Sequence, residues 1–170
     1  MPKRHIPPID GTRVRLRLLE EADLPSTLAW RNQDQIRRWF FHSDLISPEQ
    51  HQAWFEQYRH RDDDFVFVIE EVKDLGRVVG QVAIYNVDWF ARRGEFGRLM
   101  IGDRQASGKG LAGEATGLAV DFAFWELDLL EVYLEVLADN RPARSIYEAC
   151  GFHIVNTTGN VVAYSKGRVQ

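Results

Sequence analysis

The segment Gln105-Ala106-Ser107-Gly108-Lys109-Gly110-Leu111-Ala112 constrains this chain more than any other. It joins a strand-like run, Glu95 to Ile101, to a helix-like run, Leu111 to Trp125. A helix that opens on a glycine turn presents backbone N–H groups with no intrahelical partner, backed by the positive end of its dipole. That combination suits a phosphate or pyrophosphate. Glycine adopts backbone angles that other residues avoid and lets the main chain approach a ligand closely. The pattern is short, and a plain strand-to-helix turn with Gly at its bend satisfies it equally.

Two other nucleotide readings are testable in the same residues. A Walker A loop needs four residues between its glycines and a Ser or Thr after its Lys. Here Gly102 and Gly108 are too far apart, and Gly110 follows Lys109. Gly108, Gly110 and Gly113 do satisfy the dinucleotide spacing, but that fingerprint opens a βαβ unit. The upstream chain reads instead as a meander of strands.

A chain of 170 residues fits one domain, residues 1–170, with a sizeable core. Its net charge of −4 disfavours a general nucleic-acid or anionic-membrane binder. The single cysteine, Cys150, excludes an internal disulfide and suits a reducing, cytoplasmic setting. Residues 1–11 read as an extended N-terminal segment without the apolar stretch of a signal peptide. No run approaches membrane-spanning length.

Thr12 to Leu19 alternates Val14, Leu16 and Leu18 against Arg13, Arg15 and Arg17, a half-buried strand with an arginine face. Asp23 is placed to cap a helix with Pro25 in its first turn. Ser47 and Gln50 have capping-box spacing, with Pro48 at the first helical position. Strands follow at Phe65 to Glu70, Val78 to Val87 and Glu95 to Ile101. After the glycine turn and its helix come a strand at Leu130 to Leu137, a short helix capped by Asn140 and stopped by Gly151, and a hairpin from Phe152 to Ser165. The order β-α-α-β-β-β-α-β-α-β-β is a mixed α/β class with seven strands and four helices. Glu114 and Asp121 fall on the outer face of the glycine-turn helix and read as solvated charges.

With that order in hand, the chain resembles the Gcn5-related N-acetyltransferase superfamily over nearly its whole length. Two motifs carry the resemblance: Gln105-x-x-Gly108-x-Gly110, and Asn140-x-x-Ala143-x-x-x-Tyr147-x-x-x-Gly151-Phe152 on the short helix. The resemblance implies an α/β fold with a mixed, mostly antiparallel sheet, splayed between the fourth and fifth strands, where acetyl-coenzyme A enters. It implies that main-chain groups of Leu99, Met100 and Ile101 pair with the pantetheine arm. It places the amides of Gly108, Lys109, Gly110, Leu111 and Ala112 on the pyrophosphate, after Gln105, and Asn140 near the pantetheine. Arg104, Lys109 and Arg144 become candidate phosphate neighbours. Acetyl-coenzyme A is the implied co-substrate, no metal is implied, and a homodimer is left open.

Acyl transfer from a thioester needs a neutral amine, a donor for the oxyanion and a proton for the leaving sulfur. A Lys-like amine has a pKa of about 10.4, so its proton must be removed. Tyr147 matches the family tyrosine beside the coenzyme sulfur and is the candidate acid; by pattern alone it is also a core aromatic sharing a face with Ile146 and Cys150. Glu95 opens the splayed strand and is the candidate base, directly or through water; the competing reading pairs it with Arg92, Arg93 or Arg98. A nucleophilic Cys150 has no His near it in sequence, and His5, His42, His51, His60 and His153 show no zinc-type spacing.

The resemblance implies an acceptor site built mostly from the first two helices, their connection and the last strands; here that connection reads Trp30-Arg31-Asn32 through Arg37-Arg38-Trp39-Phe40-Phe41-His42. Aromatic faces beside arginines suit a planar base with phosphates; a helix with core tryptophans and solvated arginines fits the same residues. Trp30, Arg31, Asn32, Arg37, Trp39, Phe40 and His51 are the candidate acceptor residues. This segment, with Ser47 and His51, is similar to the branch that acetylates nucleotide-linked amino sugars, which implies a small-molecule amine acceptor of that kind. The neighbouring branch that acetylates protein N-termini, ribosomal proteins included, shares the layout. A non-catalytic acyl-coenzyme A-binding module is a third reading.

Overall fold

In the computed structural model, which describes residues 2–169, eight strands form one sheet in the order β1-β2-β3-β4-β5-β6-β8-β7. These are β1 (Ile9–Asp10), β2 (Val14–Leu18), β3 (Phe65–Glu71), β4 (Arg77–Asp88), β5 (Arg93–Ile101), β6 (Glu131–Leu137), β7 (His153–Thr158) and β8 (Val161–Gly167). The helices are α1 (Leu24–Arg31), α2 (Asp34–Arg37), α3 (Pro48–Tyr58), α4 (Leu111–Asp121) and α5 (Arg141–Ala149). The sheet therefore has one strand more than predicted. Ile9–Asp10 of the N-terminal segment pairs with Leu16 and Arg15 of β2. The short α2 was also not anticipated, because four residues carry no readable periodicity.

The helices cover both faces of the sheet. Phe65, Phe67 and Ile69 of β3 join the core under α4, while Val66 and Val68 point into a second core with Leu24 of α1 and Phe55 and Tyr58 of α3. That double burial explains why β3 reads as an unbroken apolar run. α4 packs through Leu111, Ala115 and Ala119, and the chain then widens into an i→i+5 turn in which the Leu127 amide donates to the Phe122 carbonyl. This turn ends the regular helix before Trp125, short of the predicted boundary. It keeps Phe122 edge-on to Phe65 and Phe67, at ring separations of 5.7 and 5.0 Å. Removing such a buried ring costs about 3–5 kcal/mol.

Caps follow the sequence except at α1. Ser47 Oγ accepts from the Gln50 amide at 3.1 Å, and Gln50 Oε1 accepts from the Ser47 amide at 2.9 Å. Asp23 makes no cap to α1. Its carboxylate is held instead by Arg17, at 2.8 and 2.9 Å, and by the Glu20 amide.

Every neighbouring strand pair is antiparallel except β5 and β6, which run parallel and pair only at Arg93–Glu131, Gly94–Val132 and Glu95–Tyr133. Beyond Glu95 the two strands part. A bulge in β5 is a physical cause. Gly97 and Met100 pair with Ala83 and Gln81, so Arg98 and Leu99 together oppose Val82 alone. A bulged strand bends and loses register with its neighbour. Arg98 takes a left-handed φ of +55° there, a cost of about 1–3 kcal/mol that its surroundings must offset.

Candidate active site

α4 opens on the glycine turn. Gly108 and Gly110 hold φ of +73° and +76°, a region that costs an L side chain about 1–2 kcal/mol. The amides of Gly108, Lys109 and Gly110 meet no acceptor among the described residues. The loop's carbonyls are engaged from one side: Arg13 donates through Nη1 to the Lys109 carbonyl and through Nη2 to the Gly110 carbonyl, the latter at 3.3 Å. In a trans peptide the N–H points opposite to the C=O. Arg13 thus turns the amides of Gly110 and Leu111 away from itself. Glu114, expected to be merely solvated, accepts from the amides of Arg13 and Val14 at 2.8 and 2.9 Å and ties α4 to the start of β2. Burial alone would raise the Glu114 carboxyl, but these amides and the Arg13 guanidinium outweigh it and hold it below its ordinary range.

Upstream, Asp103 accepts from the Gln105 amide at 3.0 Å and from Arg77 Nε at 2.7 Å, and Arg77 Nη2 donates to Gln105 Oε1 at 2.7 Å. The Gln105 side chain therefore braces the turn.

The parting strands open a cavity of about 470 Å³. Leu99, Met100 and Ile101 line it from β5, Ser107 from the glycine turn, and Asn140, Ala143, Ile146 and Tyr147 from α5 and its cap. Asn140 Oδ1 also accepts from the Ala143 amide at 3.4 Å, closing the first turn of α5. Arg144 does not line this cavity. It donates to the Tyr164 hydroxyl at 3.0 Å and the Ala138 carbonyl at 2.8 Å, bracing α5 on β8.

Tyr147 and Glu95 both line this cavity. Tyr147 packs edge-on to Phe96 at 5.6 Å, and its hydroxyl makes no hydrogen bond among the described residues. Burial holds its phenol well above the ordinary tyrosine range, so it stays protonated. It is at once a core aromatic and a cleft residue. Glu95 has no arginine partner: Arg92 pairs with Asp128, Arg93 with Glu131 and Arg98 with Asp64. Its carboxylate accepts from the Tyr85 hydroxyl and from Asn86 Nδ2, both at 3.0 Å.

A second cavity, about 410 Å³, lies between α1, α3, the α2–α3 connection and β5. The two cavities share Phe40, Arg98 and Met100 in their walls, so they adjoin across β5. The Arg98 guanidinium pairs with buried Asp64 at 2.8 Å and lies 4.0 Å over the Tyr85 ring, which steadies the bulge. Sequence reasoning missed Arg13, Asp64 and Tyr85. It saw Arg13 only as part of an arginine face, and their roles arise from contacts far apart in the chain.

Of the predicted acceptor residues, Arg31, Phe40 and His51 line this second cavity, and Trp39 lines the first. Trp30, Asn32 and Arg37 line neither. The Trp30 indole covers Gly102 so closely that a Cβ there would lie 2.0 Å from it. Asn32 exchanges hydrogen bonds with the Ile46 backbone at 2.8 and 2.9 Å, and Arg37 is taken up by Asp34 and the Ser43 carbonyl. All three hold the α1–α3 connection in shape. Thr27 Oγ1 donates to the Leu24 carbonyl, so its 3.0 Å contact with His51 Nε2 puts the imidazole proton on Nε2. Burial pulls the His51 pKa down, so the ring is neutral.

Burial pushes the Cys150 thiol up, which makes it a poor nucleophile. Among the described residues no three His, Cys, Asp or Glu side chains gather as a metal site, and no helix is long and apolar enough to cross a membrane.

Residues 13–153 match the model of the acetyltransferase (GNAT) domain family. The chain is 28% identical to a spermidine N(1)-acetyltransferase of Vibrio cholerae over 142 residues, covering 84% of this chain and 80% of that protein. It is 30% identical to the Escherichia coli spermidine N(1)-acetyltransferase over 141 residues, covering 83% and 73%. The solved Vibrio cholerae spermidine N-acetyltransferase, in complex with CoA and spermine, shares the fold at a TM-score of 0.83 and 24% identity, over 92% of this chain and 96% of that one. The chain belongs to the Gcn5-related N-acetyltransferase family, and it is an enzyme that transfers an acetyl group from acetyl-CoA to an amine.

Proposed function

We propose that the acetyl group passes directly to a primary amine of a small-molecule acceptor held in the cavity between α1, α3 and β5. The observation that carries this reading is the shared wall of Phe40, Arg98 and Met100, by which the two cavities adjoin across β5; this supports an acceptor and a thioester held side by side. Holding two reactants together supplies about 7–11 kcal/mol of the barrier. The amides of Gly108 to Ala112 grip the pyrophosphate, and the free edge of β5 at Leu99 to Ile101 takes the pantetheine arm.

Glu95 is the base in this scheme, accepting the amine proton directly or through one water. Tyr85 and Asn86 fix its carboxylate. Tyr147 serves the leaving sulfur. Its phenol is less acidic than a thiol of pKa about 8.5, so full proton transfer from it is uphill. Its contribution is a hydrogen bond to the thiolate as negative charge develops, with the phenol proton retained.

The acceptor cavity narrows the amine. Of the two arginines that line it, Arg98 is matched by Asp64, which leaves Arg31 against one exposed carboxylate, Asp44. This lining suits an amine on a neutral or anionic body, and the nucleotide-linked amino sugar read from the sequence is of that kind. The aromatic walls Phe40 and Trp54 support it. A polyamine acceptor is the second reading, supported by similarity to spermidine acetyltransferases over more than four-fifths of the chain. A cytoplasmic setting suits the lone Cys150, and the exposed edge strand β7, with Ile154 and Val155 at the surface, supports a homodimer. Free-thiol release measured over nucleotide-linked amino sugars, spermidine and N-terminal peptides tests the reading. Turnover of any one amine establishes transfer and ranks the acceptors. Acetyl-CoA binding without turnover of any of them would make the chain a binding module.

A further inference from the structure

The chain pairs nearly every arginine it buries or half-buries. Arg17 meets Asp23 and Glu70, Arg93 meets Glu131, Arg98 meets Asp64, and Arg168 meets Asp128. Half-buried Arg144 has no carboxylate but donates to the Tyr164 hydroxyl and the Ala138 carbonyl, whereas Arg31, in the last turn of α1, is less well matched. It is the one arginine among the buried residues, 8% exposed, and no carboxylate lies within ion-pair distance of it among the described residues. Its Nη2 donates to the His42 carbonyl, and its plane is fixed by the Phe40 ring 4.4 Å away. Its Nη1 is enclosed with no hydrogen-bond partner among the described residues.

A buried cation without a counter-charge is costly, and so is a buried donor without an acceptor. Arg31 has both defects at once, in the wall of the acceptor cavity. The other groups around that cavity do not relieve them. The His51 ring is neutral, Arg98 is already matched by Asp64, and Asp44 makes no bond to Arg31. Burial and the nearby Arg37 both act against the Arg31 charge. Such a group gains most from a ligand that brings a negative oxygen.

We propose that Arg31 seats an oxyanion carried by the acceptor, a carboxylate or a phosphate, on the unmatched Nη1, with the Phe40–His42 segment that covers this atom shifting to admit it. The inference rests on the transfer reading above and names the acceptor's class: a primary amine on an anion-bearing molecule, for which a polycation is a poor substitute. Arg31 is thereby a specificity-determining residue, separate from the amides that hold the coenzyme.

The test uses the full chain saturated with CoA, so that the glycine turn is filled. Methyl phosphate and acetate are titrated against it by calorimetry and by tryptophan fluorescence. The wild type is expected to bind one of the two saturably; which one saturates separates a phosphate-bearing from a carboxylate-bearing acceptor. Arg31→Met is expected to bind it about ten- to a hundredfold more weakly, the fold-change one charge-assisted hydrogen bond supplies. Arg31→Lys keeps the charge, loses the fork and is expected to fall between them. The CoA-induced rise in melting temperature reports that each variant is folded. If Arg31→Met does not fold, the Lys variant carries the comparison. Equal anion affinity in wild type and variant, or saturation by neither anion in the wild type, overturns the proposal. These titrations need no turnover. Failure of the transfer reading appears separately, as absence of free thiol from every amine.

Discussion

The Tyr85 hydroxyl donates to Glu95 Oε2 at 3.0 Å, from the strand that borders β5 on its paired side. Tyr85 is itself roofed by the Arg98 guanidinium, whose counter-ion is the buried Asp64. The proposed base is thus oriented by a phenol whose own position depends on the bulge in β5. Burial, and then the charge of Glu95, hold the Tyr85 phenol above its ordinary range, so it remains a donor.

Glu95→Gln is expected to lower kcat by about 10²–10⁴-fold, the usual worth of general-base help, with little change in acetyl-CoA affinity. Tyr85→Phe should give a smaller loss in the same direction, because it removes the orienting donor and leaves the base. Steady-state rates with a turned-over amine measure both. A Glu95→Gln enzyme at wild-type speed would show that Glu95 is not the base.

Tyr147→Phe keeps the ring among Phe96, Phe152 and Tyr164 and removes only the hydroxyl. Stability and coenzyme binding should hold while kcat falls by about 10-fold or more, as expected for one hydrogen bond made to developing charge. Thermal melts with and without CoA, set beside initial rates, separate the effects. An unchanged kcat would reduce Tyr147 to a packing residue.

Gly110→Glu asks a side chain to hold a φ of +76° at the N-cap of α4. It also puts a carboxylate where the pyrophosphate is expected. Acetyl-CoA should bind at least about tenfold more weakly, seen as loss of its stabilising shift in melting temperature. Undiminished affinity would move the pyrophosphate away from this turn.

Glu114→Gln should destabilise the fold by about 1–3 kcal/mol at neutral pH, since its charge is hydrogen-bonded to two backbone amides. The sign with pH follows from the lowered carboxyl. The unfolded chain takes up the proton first as pH falls, so the contribution is complete above about 4.5 and is lost as pH drops through the folded value. Urea unfolding of both forms at pH 7 and at pH 3 should show the difference between them shrinking at the lower pH.

The elements were legible where local chemistry decides them. The Ser47–Gln50 box, the glycine turn and the Asn140 cap each act within four residues, and each lies where the sequence puts it. Asp23 failed as a cap because Arg17 and the Glu20 amide compete for the same carboxylate. The acceptor wall was only partly legible. Trp30, Arg31 and Asn32 are consecutive, yet one covers Gly102, one lines the cavity and one staples Ile46. Helical geometry sends neighbours about 100° apart, and sequence proximity says nothing of which direction faces the ligand. Arg13, Asp64 and Tyr85 were beyond reach because their partners are distant in the chain.

The left-handed Arg98 and its ion pair with Asp64 form a partition with a cavity on either side. A substitution there that reshaped the proposed acceptor chamber would also straighten the strand proposed to take the thioester, so one change would be paid twice. Within the α1–α3 connection, Phe40 faces both cavities, whereas His42, Asp44, Leu45 and Ile46 line the acceptor cavity alone. Divergence in what this enzyme acetylates is therefore expected to accumulate between His42 and Ile46, while the partition stays fixed.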